Sequence, residues 1–84
     1  MDVDALYYCI TQALEDKSVQ LVEIHGLKHI FSLTPNKIEY VTTGQGAVWI
    51  TKTVKQSFDG TPTITQLAIN PDQVVYVKIF KGLE

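Results

Sequence analysis

The sequence predicts an α+β fold, an N-terminal amphipathic helix packed on a strongly twisted, mainly antiparallel six-stranded sheet or partial small barrel. Three observations carry that prediction. Apolar residues recur at helical spacing up to Leu14, β-branched and aromatic residues replace helix formers after Ser18, and turn signals then recur at strand-length intervals. A closed small barrel is the second architecture compatible with the same pattern.

The helix comes first. Val3, Leu6, Tyr7, Ile10, Ala13 and Leu14 fall on one side, with Asp4, Tyr8, Thr11, Gln12 and Glu15 on the other. Asp2 or Asp4 supplies the N-terminal cap, and Lys17 near the far end suits the helix dipole. Strands are expected over Val19–Ile24, Leu27–Leu33, Ile38–Thr43, Ala47–Lys55, Thr63–Ile69 and Val74–Phe80. Their connections are His25-Gly26, Pro35-Asn36, Gly44-Gln45-Gly46, a segment holding an Asp59-Gly60 turn, and Pro71-Asp72. Connections this short favour antiparallel neighbours, because a parallel crossover needs a longer chain.

Two stretches match in character: FSLTPNKIEYV at 31–41 and LAINPDQVVYV at 67–77. Each reads as a strand, a Pro-centred turn and a strand bearing a Tyr-Val pair. Pro at the second turn position with Asn36 or Asp72 after it suits a type I turn. Either two hairpins of similar shape chose similar residues, or the domain has two equivalent arms related by a pseudo-twofold.

With 84 residues, 45% apolar and 19% charged, the chain has a globular balance and is read as a single domain, 1–84. Nine carboxylates against seven basic residues leave a net charge of −2, and all seven are Lys. The absence of Arg, the net negative charge and the scatter of the lysines argue against nucleic-acid recognition. Cys9 is the only cysteine, so no intramolecular disulfide forms, and a cytoplasmic, reducing setting fits best. The start carries aspartates where a signal peptide needs positive charge, and no apolar run reaches membrane-spanning length.

No catalytic constellation emerges. Cys9 with His25 or His29 is the one conceivable thiol and base, but Cys9 borders the apolar face of the helix and reads as a small inert hydrophobe. His25 and His29 flank a tight turn without a third ligand, so no metal site is expected. His25 is taken as turn-forming. Asp2, Asp4, Glu15 and Asp16 read as helix-end charges, and Asp59 and Asp72 as turn formers. Gly44-Gln45-Gly46 lies between strands and lacks the strand-to-helix setting of a phosphate loop. No cofactor is expected.

VQLVEIHG followed by LKHIFSL, after a short helix, resembles the first two strands of Sm-like barrels. The resemblance is architectural and covers about half of the chain. The second glycine and the acidic residue of those families are absent from the second strand, where Ile30, Phe31 and Thr34 stand, so it implies no RNA-binding residue here. The functional expectation is a non-enzymatic protein-interaction module binding a protein partner or itself as a homo-oligomer, of the phage, mobile-element or accessory kind. The alternative is an Sm-like oligomer binding nucleic acid or a nucleotide.

The fourth strand, AVWITKTVK, places a working surface. Val48, Ile50 and Val54 share one face with Lys52, and Trp49, Thr51, Thr53 and Lys55 share the other. Three aliphatics direct the even-numbered side to the core, which leaves Trp49, Thr51, Thr53 and Lys55 as the candidate binding face. The competing expectation is a strand buried on both sides with the helix lying over Trp49.

Overall fold

The computed structural model describes residues 2–55 and 62–82. The expected Asp59-Gly60 turn lies outside them. Helix α1 runs Val3–Glu15, followed by β1 Val19–Gly26, β2 Ile30–Leu33, β3 Ile38–Gly44, β4 Ala47–Lys55, β5 Pro62–Ile69 and β6 Val74–Lys81. Single 3-10 turns at Pro35–Lys37 and Pro71–Gln73 precede β3 and β6.

Asp2 caps α1, its carboxylate accepting the Asp4 amide at 3.2 Å. Leu6, Ile10 and Ala13 form the buried stripe, with Val3, Tyr7 and Leu14 at its margins. The helix ends at Asp16, where the chain turns into β1. Lys17 lies beyond the helix and is exposed, so the last helical turn carries no basic residue.

The strands form two three-stranded antiparallel sheets, ordered β2-β1-β6 and β3-β4-β5. The α+β class holds, but the expected single six-stranded sheet is replaced by two, and no hydrogen-bonded ladder between them closes a barrel among the described residues. The division falls at the Pro turns. β2 enters the first 3-10 turn from one sheet and β3 leaves it in the other, and β5 and β6 are related in the same way. The two matched stretches are therefore sheet-to-sheet crossings and not hairpins. Each sheet consists of a hairpin from one half of the chain, β1-β2 or β4-β5, completed by the third strand of the other half. The connectivity has the pseudo-twofold pattern suggested by the matched stretches.

The inner faces of the sheets meet α1 in one core. Val22 and Ile24 of β1, Leu33 of β2, Val48 and Ile50 of β4 and Ile69 of β5 join Leu6, Ile10 and Ala13, with Val19 at the edge. Burying a side chain of this size contributes about 1.5–3 kcal/mol. The even-numbered side of β4 thus faces the core as its alternation requires, and α1 packs against β1, β3 and β4 on that side. Lys52, also on this side, reaches across the sheets and donates to the Ser32 carbonyl at 3.4 Å.

One boundary moves. β1 continues through His25 and Gly26, and the connection to β2 is Leu27–His29, so His25 is a strand residue and not a turn former. Contacts made by the turn hold it in place. The Gly26 amide donates to the His29 carbonyl at 2.8 Å, and the Leu27 amide donates to the Gln73 carbonyl at 2.9 Å. A Cβ on Gly26 would sit 3.1 and 3.2 Å from those two carbonyl oxygens, tighter than ordinary contact, so a side chain there would push the connection and the second 3-10 turn apart by a few tenths of an ångström.

Candidate interaction surface

With Val22 and Ile24 turned inward, β1 directs Leu21, Glu23 and His25 to the outer face of its sheet. Residues directly opposite across an antiparallel pair share a face. Ser32 and Lys78 therefore flank Glu23, Ile30 and Tyr76 flank His25, and Phe80 stands opposite Leu21.

This face is organised by its own contacts. His25 Nε2 lies 3.0 Å from Glu23 Oε1, which fixes the imidazole with its Nε2–H toward the carboxylate. The same ring stacks on Tyr76, with centroids 4.3 Å apart and planes within 14°. Lys78 Nζ sits 5.4 Å from the Phe80 ring centroid, a cation over an aromatic face. Glu23 and His25 are half-buried, whereas Ile30, Tyr76 and Phe80 remain 59%, 48% and 38% exposed. The result is an aromatic and aliphatic surface with one acidic and one basic group set opposite each other at its centre.

The outer face of the second sheet differs. Trp49 is half-buried and its indole N–H donates to the Gly44 carbonyl at 3.0 Å, closing the β3-β4 hairpin. Thr51 is only 2% exposed, enclosed between its cross-strand neighbours Tyr40 and Gln66. Thr53 hydrogen-bonds Glu39. The Lys55 side chain lies outside the described residues. α1 packs on the opposite side of β4, so the helix does not lie over Trp49. Three of the four residues predicted from β4 are thus together on one face, with the polar groups of Trp49 and Thr53 engaged within the sheet.

The sequence reading missed Glu23, His25, Tyr76, Lys78 and Phe80. The signal was present, since Glu23 and His25 are two apart on one strand, as are Tyr76, Lys78 and Phe80 on another. Ending β1 two residues too early, at Ile24, placed His25 in a turn and hid the pairing. Cys9 is half-buried on α1, and His29 is exposed in the β1-β2 connection.

The described residues contain no helix long and apolar enough to cross a membrane and no group of three or more His, Cys, Asp or Glu poised around a metal position. Comparison with protein-family models, with curated proteins and with solved structures returns no match. The functional reading therefore starts from the surfaces themselves.

Proposed function

We propose that this chain is a non-enzymatic protein-interaction module that associates with a second copy of itself through the outer face of the β2-β1-β6 sheet. The observation that carries the reading is the exposure of Ile30, Tyr76 and Phe80 around Glu23 and His25 on the outer face of this sheet. A twofold dimer uses the same patch on both subunits, so the patch must complement itself. Glu23 and Lys78, opposite each other across β1 and β6, supply both signs of charge on one face. A rotated second copy can set each ammonium against the other copy's carboxylate while the aromatic rings close over one another.

The test is solution mass by light scattering across a wide concentration range, for the native chain and for a Tyr76→Glu/Phe80→Glu variant. The native mass should rise from one chain toward two. Losing two aromatic anchors, each commonly worth about 2 kcal/mol, should hold the variant at one chain with its circular dichroism unchanged. Trp49→Phe, on the second sheet, should leave the dimer intact. A native chain that stays monomeric throughout refutes self-association, and a dimer lost in Trp49→Phe but kept in the double variant moves the interface to the Trp49 face.

A further inference from the structure

A separate feature lies where the two sheets come together at the β1-β2 connection. There Gly26–His29, Phe31, the end of β5 and the second 3-10 turn enclose a pocket of about 200 Å³. Its inner wall is Ile24, Phe31, Ile69 and Val74, of which Ile24 and Ile69 belong to the buried core. Lys28 and His29 are exposed in the connection and complete the lining, and no acidic side chain contributes to it. Part of the backbone here is already engaged: the amides of Gly26, Leu27 and Gln73 donate to protein carbonyls. A ligand is thus offered an apolar wall together with a cationic side chain, an imidazole and the amide-bearing residues Asn70 and Gln73.

We infer that this pocket binds a small apolar monocarboxylate, with the hydrocarbon part against Ile24, Phe31, Ile69 and Val74 and the carboxylate toward Lys28 and His29. Size and charge both lead there. An apolar cavity of about 150 Å³ accommodates benzene, so this pocket takes one ring or a short branched chain with a little to spare. A group that small cannot bring its charge inside without losing hydration, whereas a carboxylate at the rim stays wet and gains a charge-assisted hydrogen bond. The pocket lies on the inner side of the β1-β2 connection, and its Gly26–His29 segment also borders His25, Ile30 and Tyr76 of the proposed dimer face.

Titration of the native chain with phenylacetate, followed by two-dimensional amide NMR, tests it, with 2-phenylethanol as the neutral comparator. Saturable shifts are expected at the amides of Gly26–His29 and Ile69–Val74, with a dissociation constant of roughly millimolar order for a ligand of this size. The alcohol should bind about tenfold more weakly for want of the charged hydrogen bond. A Lys28→Glu/His29→Gln variant, changed only at exposed positions, should lose about tenfold toward phenylacetate and nothing toward the alcohol, with its spectrum otherwise preserved. Three results overturn the inference: no saturable shift, acid and alcohol binding equally, or full acid affinity retained in the double variant.

Discussion

At Asp16 a single carboxylate holds the corner between helix and sheet. Its Oδ1 accepts the Ser18 hydroxyl at 2.7 Å and the Ser18 amide at 2.9 Å, and its Oδ2 lies 3.4 Å from Lys81 Nζ at the end of β6. The two Ser18 hydrogen bonds, with Lys81 adding to them, hold the Asp16 carboxyl below its ordinary value of 3.8. A carboxyl depressed in the folded state contributes stability above its ordinary pKa and loses it as pH falls through the folded one. Asp16→Asn keeps an oxygen acceptor for Ser18 but gives up the charge. Its melting temperature should therefore lie below that of the native chain at neutral pH and converge with it under acid, and a constant gap between the two melting curves would show that the charge is idle. Asp16 was legible in the sequence only as a helix-end charge: Ser18 stands two residues away, but the contact with Lys81 depends on where β6 finishes. His25 was less legible still, since its roles come from Glu23, two residues away on the same strand, and Tyr76, on a strand from the far end of the chain.

The two Pro turns show how far local chemistry dictates local form. Thr34 and Asn70, which precede the prolines, have φ, ψ of −95°, 118° and −81°, 118°, and Ile38 and Val74, which follow the turns, have −96°, 124° and −87°, 126°. Each turn closes with two amide-to-carbonyl bonds, Lys37 to Thr34 at 2.9 Å and Ile38 to Pro35 in the first, Gln73 to Asn70 at 3.0 Å and Val74 to Pro71 in the second. They differ in their caps: the Asn70 side chain accepts the Asp72 amide at 3.0 Å, and Thr34 makes no such bond. Thr34→Asn should install the missing cap and raise stability by about 0.5–1 kcal/mol in chemical denaturation, while Asn70→Ala should cost a similar amount. Equal or lower stability in Thr34→Asn would mean that the turns are alike in outline only. At this scale the sequence was highly legible. Periodicity and turn residues place the helix and six strands close to where they lie, and β4 coincides with its expected range. The sheet assignment was hidden because a Pro forces the residue before it to be extended, which suits a hairpin and a crossing between sheets equally. What decides is tertiary: β1 offers Val22 and Ile24 on its inner face and is paired on both sides, by β2 and β6.

Across the whole molecule the two halves are alike in connectivity but unlike at their edges. Glu39 sits at an irregularity in the β3-β4 pairing and hydrogen-bonds Thr53, placing a charge and a distortion on that edge. The matching position in the second half is Val75, 57% exposed on β6 at the equivalent irregularity, between Val74 opposite Gly26 and Tyr76 opposite His25, so this edge has the distortion without the charge. Glu39→Val should accordingly increase association through β3, read as a light-scattering mass above that of the native chain at equal concentration, and no change would show that the bulge protects that edge without the charge. The exchange of third strands also sets a schedule for biosynthesis. Ile24 cannot find Val77 until the strands between them have been synthesised, so β1 and β2 emerge as a bare hairpin with one side of β1 unpaired. During translation the first sheet is the earliest to begin and the last to be finished, and nascent chains stalled before β6 emerges should be cut readily by protease at β1, where the released protein resists.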